Sequence, residues 1–559
     1  MSRLIIGASV GNCVHVAGVL NFLRLAEDHG YKTKFLGPAI AVDYLLNAVQ
    51  EEDPYMVAVS YRLTPETAVN ILKRLKDVAF KRGLTSRKFV FGGTLPVSKK
   101  AKMVGLFDKV FSGEEEIEEI IAFLEEWDYT KDEIIYSHDI MSRLEKKSPY
   151  PLIRHHFGLP SIEKTIDGIR KIADSKVLDI VSLGPDQNAQ ESFFRPEEMD
   201  EDEKGAGGVP IRSEEDLQKL YQATRTGNYP LMRSYSGTRD VFKMAVFLSE
   251  NIKNAWCAVP LSWYNKLDGR GPRSLLDSIK ENQLLMKWHG ERGIPVEVNE
   301  AHHWSLRDSH DTLAVVMAYL AAYNAKKMGV NNYIAQYMFN TPNGTSAKMD
   351  IAKMLAKKSM ISRLVNYEFN VLTQVRSGLS SFPVNINKAK GQLAYSTFLG
   401  MSLKPDIVHV VAFSEADHAA DSDDVIESCQ IAQQVINNLT YDSPDFITDP
   451  IIRKRRDSLI RQADLLINVI MKIANSTFDN CTSPLSTPAI LANAIKLGLI
   501  DAPHLKGNKE ACGKLRTKIV DGACYAYDYT ENKVIDERER IEKILKEEEL
   551  WIKQKTIVF

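Results

Sequence analysis

Short runs of apolar residues alternate with helical periodicity along nearly the whole chain. Leu4-Ile5-Ile6 reads as a strand, and from about Val16 the spacing of Val19, Phe22, Leu23 and Ala26 predicts a helix that His29-Gly30 ends. Tyr55–Val59, Lys88–Phe91 and Val110-Phe111 are further strand-like runs. They leave in small or hydroxyl residues: Ser60-Tyr61-Arg62-Leu63-Thr64-Pro65, Gly92-Gly93-Thr94 and Ser112-Gly113. This rhythm predicts a doubly wound, Rossmann-like parallel sheet over residues 1–126, with loops at the carboxyl ends of its strands placed to bind a ligand. Residues 127–150 are charged and mixed and read as a linker ending before Pro151.

A second series of strand signals follows: Val177–Leu183, Leu231–Tyr235, Ala255–Val259, Val296–Val298, Tyr333–Phe339, Glu368–Gln374 and Ile407–Phe413. Helical stretches such as Thr238–Ile252, Leu275–Gly290, His310–Met328 and Ala389–Leu403 lie between them. Seven or eight β-α units over residues 151–439 predict a (β/α)8 barrel of the TIM type, with a second doubly wound sheet as the alternative. The acidic, glycine-bearing stretch Glu197–Gly208 reads as an exposed mobile loop within it. Residues 440–559 read as a C-terminal α+β extension: helical through Asn475, mixed over Asp501–Tyr529, and ending in a charged helix Glu537–Lys553. The class is α/β throughout.

Composition narrows the function. At 559 residues the chain is too long for one core. A formal net charge of -2 gives no footprint for nucleic acid or a membrane surface, and no apolar run is long enough to span a bilayer. Arg3 followed by an uncharged stretch to Arg24 has the outline of a signal peptide, but Asn12, His15 and Asn21 break it, so none is expected. The six cysteines, Cys13, Cys257, Cys429, Cys481, Cys512 and Cys524, include no C-x-x-C pair and suit a reducing compartment. A cytoplasmic enzyme is the expectation, with a small-molecule substrate as its partner and a homodimer as the candidate assembly.

The first domain has no G-x-G-x-x-G opening its first helix and no Walker lysine. It has a histidine, His15, on the loop leaving its first strand. Alone this residue reads as an ordinary loop or cap histidine. Cys13-Val14-His15-Val16-Ala17-Gly18, Ser60-Tyr61-Arg62 with Thr64 beyond, and Gly92-Gly93-Thr94 change that reading. Together they resemble the cobalamin-binding domain, whose signature is D-x-H-x-x-G, then S-x-L, then G-G. The resemblance implies that His15 is the lower cobalt ligand, with Cys13, Gly18, Ser60, Thr64, Gly92, Gly93 and Thr94 around the cofactor's nucleotide tail. A neutral imidazole suits such a metal. Two positions depart: Cys13 stands for the aspartate that orients the histidine, and Arg62 for the leucine. Asn12 is the alternative partner for the imidazole.

The remainder resembles the catalytic subunit of glutamate mutase, an adenosylcobalamin-dependent carbon-skeleton mutase, with the cobalamin domain fused at the N-terminus. Leu231-Met232-Arg233-Ser234-Tyr235-Ser236-Gly237-Thr238 corresponds to an A-R-H-G-T segment, Gln374–Gly378 with Phe382-Pro383 to H-Q-W-M-G-G-F-P, and Ile500-Asp501-Ala502-Pro503 with Cys512-Gly513-Lys514 to M-D-I-P…A-G-K. The resemblance makes Arg233 a substrate-carboxylate clamp. Arg376, Asp186 and Glu300, on loops after strands, join it as candidate catalytic residues, with Glu415 and His418 behind them. His302-His303, being adjacent, point different ways and are not expected to share a metal; a hydrogen bond to corrin or substrate is the functional alternative to a structural role, and Trp304 and the Trp263-Tyr264 pair pack on corrin or at the barrel rim. Of the three arginines that hold glutamate in that family only Arg233 is in register; the segment Arg154–Gly158 and the region of Gln190 stand at the other two places. The lysine and glutamate that contact the adenosyl group there have no counterpart near Ser422–Asp424. A small carboxylate other than glutamate is therefore the expected substrate. The alternatives are a corrinoid methyltransferase using methylcobalamin, and a cobalamin carrier without catalysis.

Overall fold

The computed structural model describes residues 3–115, 117–125, 136–440, 444–477 and 482–547. The chain divides into two compact units, Met1–Ile135 and Tyr136–Phe559. The expected end of the first domain at residue 126, the part of the expected linker over residues 127–135, Cys481, and the end of the terminal helix beyond residue 547 lie outside the described residues.

In the first unit five parallel strands, β1 (Leu4–Ser9), β2 (Lys32–Phe35), β3 (Met56–Ser60), β4 (Lys88–Gly92) and β5 (Lys109–Phe111), stand in the order β2-β1-β3-β4-β5. Strand side chains alternate between faces, and the sheet is buried on both. Ile6, Ala8, Val57, Val59, Phe89 and Phe91 pack on one side with Leu45, Leu46, Leu72 and Leu75. Ile5, Met56, Ala58 and Val90 pack on the other with Val19, Leu23 and Ala26. Register pairs Ser9 with Ser60 and Ser60 with Gly92, so the small residues of three strands end side by side.

The second unit is an eight-stranded parallel barrel with helices outside. Its strands are β6 (Leu152–Phe157), β7 (Ile180–Leu183), β8 (Leu231–Arg233), β9 (Cys257–Val259), β10 (Val296–Val298), β11 (Asn332–Phe339), β12 (Asn370–Ser377) and β13 (Ile407–His409). Neighbours pair in chain order, β13 pairs with β6, and the bridge Tyr235–Ala258 joins the ends of β8 and β9. Strand β6 was absent from the sequence-based expectation, because three of its six residues are Arg154-His155-His156 and its apolar alternation is lost.

The floor of the barrel is apolar. Leu152, Ile180, Leu231, Ile334, Leu372 and Ile407 cluster there with Ile140. Ile140 belongs to a helix, Ile140–Lys147, inside the stretch expected to be linker; Asp139 caps it by accepting from Ser142 N at 2.9 Å. Two residues further along the same strands the inward positions are Arg154, Ser182, Arg233, Gln336, Gln374 and His409, all buried. Barrels of this type fill such layers with branched apolar side chains, and this one does not.

The C-terminal segment completes the unit. Pro450–Thr477 is one long helix, Thr517–Val520 and Ala523–Asp528 pair antiparallel, and the helix Glu537–Glu547 is tied down by Glu537, which accepts from His310 Nε2 at 2.7 Å and Arg540 Nη2 at 2.6 Å. The acidic stretch after residue 196 is anchored rather than free: Asp200 N and O both bond the Asn188 side chain, and Gly205 N bonds Asp186. No helix among the described residues is long and apolar enough to cross a membrane.

Candidate functional site

At the carboxyl edge of the first sheet, His15 is exposed on the loop between β1 and the helix Ala17–Asp28. Cys13 is fully buried beneath it, with Sγ 3.9 Å from His15 Nδ1. The thiol thus engages one ring nitrogen and leaves Nε2 without a partner among the described residues. The loop is held at both ends. Cys13 O accepts from Ser9 Oγ at 2.7 Å and Ala39 N at 3.0 Å, and Ser60 Oγ donates to His15 O at 3.5 Å. Asn12 is taken by Tyr61, whose hydroxyl donates to it at 3.0 Å, so it is not the partner of the imidazole.

The other expected cofactor residues divide in two. A Cβ added at Gly18 or Gly92 meets no atom within 4 Å, so both border open space, whereas at Gly93 it would meet Tyr61 O at 2.6 Å. Gly93 is required by its own fold. Thr94 precedes the helix Leu95–Val104 without a capping bond, and exposed Thr64 donates to Thr67 at 2.8 Å. Val14, Leu63 and Leu95 on these same loops are 63%, 38% and 37% exposed. An accessible imidazole inside an apolar rim with small-residue gaps suits a large, flat, partly apolar ligand.

The barrel interior holds the second candidate site. Arg154, fully buried, donates through Nε to Ser182 Oγ (2.6 Å) and through Nη1 to Gln374 Oε1 (2.7 Å) and Glu297 Oε2 (3.1 Å). Glu297 also accepts from Trp256 Nε1 at 2.8 Å, so its charge is committed to Arg154. Arg233 is equally buried but among the described residues has only one hydrogen bond, 3.4 Å to Ser182 Oγ, and its Nε and Nη2 have no partner there. Both guanidiniums lie over the Trp256 ring, at 5.2 and 5.3 Å, which eases their packing without cancelling charge. One layer higher, Arg376 donates no hydrogen bond to the described residues and its Nε is buried without a partner. Burial lowers its pKa, opposed by Tyr235 and Glu297.

Imidazoles surround these cations. Burial is the leading cause that lowers each of them and Arg376 adds to it: His155 falls to about 4, His156 to about 3, and His302, His303 and His409 well below the usual value. They are neutral at pH 7. His156 Nε2 faces both Arg154 Nη2 (3.2 Å) and the Tyr235 hydroxyl (3.0 Å), which fixes it as an acceptor. Among the described residues no group of three or more His, Cys, Asp or Glu is arranged to hold a metal ion. The net result is a largely buried layer with two guanidiniums that keep N–H groups without an acceptor among the described residues. It can bind an anion with oxygen acceptors.

Arg233 and Arg376 therefore sit together. Asp186 and Glu300, singled out with them from the sequence, do not share that role. Asp186 accepts from Ala189 N, Gly205 N and both terminal nitrogens of Arg212, at 2.6–2.9 Å, and closes the loop after β7. Glu300 accepts from Leu261 N (3.0 Å), Ser262 N (3.0 Å), Trp304 Nε1 (2.8 Å) and the Ser262 hydroxyl, and pins the loop after β9. Saturated carboxylates have nothing left for a ligand. Trp263 and Trp304 are buried against each other with centroids 4.6 Å apart. Glu415 is exposed; burial raises its pKa and Arg376 opposes this. His418 is tied to Asp417 (2.7 Å) and Asp424 (3.0 Å). Sequence reasoning gave no role to Arg154 and Gln374, though it quoted the segments that hold them, and missed His156, Trp256, Glu297, Gln336 and His409 as site residues. For Arg154, Gln336, Gln374 and His409 the signal was a polar residue two positions after an apolar floor residue, repeated from strand to strand; His156, Trp256 and Glu297 carried none.

Residues 3–122 match the family profile of the B12 binding domain. No curated protein matches the chain. Among solved structures, one described as a novel cobalamin-binding protein, from Desulfitobacterium hafniense DCB-2, is 25% identical over 20% of this chain and 52% of its own, with a TM-score of 0.18. The Rubisco-like protein from Rhodopseudomonas palustris is 9% identical over 54% of this chain and 68% of its own, with a TM-score of 0.31. The chain spans about half the length of the first of these. The profile match makes the first unit a cobalamin-binding domain and the chain a corrinoid-dependent protein, and the exposed imidazole and open glycine edges fit that group.

Proposed function

We propose that the chain is an adenosylcobalamin-dependent isomerase, a carbon-skeleton mutase of the glutamate mutase kind, acting on a small carboxylate held in the barrel. The observation that supports this most is the pair of neighbouring guanidiniums, Arg233, fully buried, and Arg376, partly buried, each with an N–H that has no partner among the described residues. In this reading His15 holds the cofactor's metal, Cys13 steadies the ring, and Ser60, Gly18 and Gly92 edge the cofactor's groove. Bound there, the cofactor supplies the radical chemistry. The barrel's residues do the rest: Arg233 and Arg376 orient the carboxylate, Trp256 and Tyr235 support the guanidinium of Arg233 from their ring faces (the latter at 5.0 Å), and burial excludes water.

The charge inventory also bears on the substrate. The sequence offered one arginine in register and so argued against glutamate. Three stand on the barrel strands, Arg154, Arg233 and Arg376, and after Arg154 is matched by Glu297 two remain. A substrate with one carboxylate and a second anionic or strongly accepting group fits that balance.

The test is direct. The protein is loaded with adenosylcobalamin or methylcobalamin, passed through gel filtration, and its ultraviolet-visible spectrum compared with that of His15→Ala. Small mono- and dicarboxylates are then added while the cobalt(II) paramagnetic signal is followed. The reading predicts a coloured protein, an altered lower-ligand spectrum in His15→Ala, and a carboxylate-triggered signal lost in Arg233→Met. A colourless protein overturns it, and cycling through cobalt(I) assigns methyl transfer instead.

A further inference from the structure

A chain of hydrogen bonds crosses the barrel just above its apolar floor, and its direction is dictated from one end. Arg154 can only donate. Gln374 must therefore turn its carbonyl oxygen to Arg154 Nη1, at 2.7 Å, and its amide nitrogen to Gln336. The contact from Gln374 Nε2 to Gln336 Oε1 is 3.1 Å. Gln336, having spent its oxygen there, presents its own amide N–H to His302 Nδ1 at 2.9 Å. An imidazole nitrogen that accepts carries no proton. The ring is neutral, so its proton sits on Nε2.

His302 belongs to the short helix Ala301–Ser305 after β10, is 5% exposed, and lies close enough to Arg376 for the guanidinium to disfavour its charged form. Its Nε2 has no hydrogen-bond partner among the described residues. We infer that His302 is held as a neutral Nε2–H donor facing the anion site, its tautomer set by Arg154 through Gln374 and Gln336, and that it binds an acceptor atom of the substrate beside Arg376. This rests on the carboxylate-binding reading for the identity of the ligand, but the tautomer itself does not. Arg154 thereby has a second role, since a cation neutralised by Glu297 still specifies polarity across three strands and the loop after β10. The arrangement also makes the site select for acceptors. A ligand group that must donate, such as an ammonium or an amide N–H, would meet another N–H there and be rejected.

The experiment uses the full chain labelled with 15N-histidine, with the His302 resonances assigned by their loss in His302→Gln. The inference expects the neutral, Nε2-protonated form from pH 6 to 8 without an inflection. Gln336→Glu puts an acceptor against Nδ1 and should invert the tautomer. Gln374→Glu should invert it too, from one residue further away, because Gln336 must then turn its amide nitrogen toward the new carboxylate. The two variants guard against one failing to fold. An Nδ1-protonated ring in the unmodified protein, a titration inflection in that range, or an unchanged tautomer in folded Gln336→Glu and Gln374→Glu would overturn the inference. Succinate, as the anionic probe, is titrated calorimetrically. His302→Leu should weaken it by about tenfold to a hundredfold, the worth of a hydrogen bond to a charged group, and His302→Gln, which keeps a donor, by less than about threefold on the same basis. Equal affinities for the His302→Leu variant and the unmodified protein would remove the donor role. If succinate fails to bind the unmodified protein, the carboxylate reading falls, while the nitrogen spectra still decide the tautomer.

Discussion

Replacing Arg376 by methionine should make the protein more stable and leave the barrel unable to bind an anion. The guanidinium is largely buried, donates to no described residue, and stands near a second buried cation, Arg233; Glu297 already serves Arg154, and the exposed Glu415 gives Arg376 only a solvated counter-charge. Exchanging such a buried charge for an apolar side chain of similar length gains about 1–4 kcal/mol in comparable cases. Unfolding entropy of about 2.1 cal/mol/K per residue, taken over Tyr136–Phe559, amounts to roughly 0.9 kcal/mol/K. The transition of the second unit should therefore rise by about 1–4 °C. Differential scanning calorimetry of both proteins, with and without succinate, measures it. Succinate should raise the transition of the unmodified protein by mass action and leave that of Arg376→Met unmoved. The five imidazoles should also become easier to protonate, since each now feels Arg376. A transition lowered by several degrees, or undiminished stabilisation by succinate, would show that Arg376 is a structural cation whose partner lies elsewhere.

Stability of the second unit should fall in mild acid. His155 and His156 titrate at about 4 and about 3 when folded but near 6.5 when unfolded, so below pH 6.5 the unfolded chain takes up protons that the folded chain refuses. The loss is about 2.7 kcal/mol per pH unit from these two rings until pH 4, and denaturant titrations at pH 7.5, 6 and 5 will show it; a flat profile refutes the neutral assignment. Asp186→Asn should cost about 2–3 kcal/mol through its lost charged hydrogen bonds and open the 196–208 segment to limited proteolysis without abolishing succinate binding. Gly93→Ala should destabilise the first unit by about 1–3 kcal/mol through overpacking against Tyr61 O, whereas Gly92→Ala should fold normally. Thermal unfolding of the two glycine variants separates these outcomes, and equal behaviour would deny the distinction.

Four strands of the first unit and most barrel strands were legible because buried strands advertise themselves as apolar runs bounded by small residues; β2, Lys-Thr-Lys-Phe at the sheet edge and half exposed, has no such run. Strand β6 was not legible either, and the reason is its chemistry. Arg154 and His156 face inward as part of the site, so the positions that would have completed an apolar pattern are polar. The same cause hid Glu297 and Gln374. Loop residues misled in the opposite way. Asp186 and Glu300 have the composition and placement of catalytic carboxylates, yet their oxygens are filled by backbone amides that a sequence cannot display. Gly92 and Gly93 look equivalent as a pair, and only the position of Tyr61 O separates them.

The uncharged imidazoles lining the barrel have a further consequence for what the chamber can contribute. Rings that titrate near 3 or 4 neither accept nor release protons at neutrality, so they offer a guest molecule neither base nor acid. Those rings can grip and align a guest by hydrogen bonds alone, so under the proposed reading any proton or radical step must draw on groups other than these imidazoles.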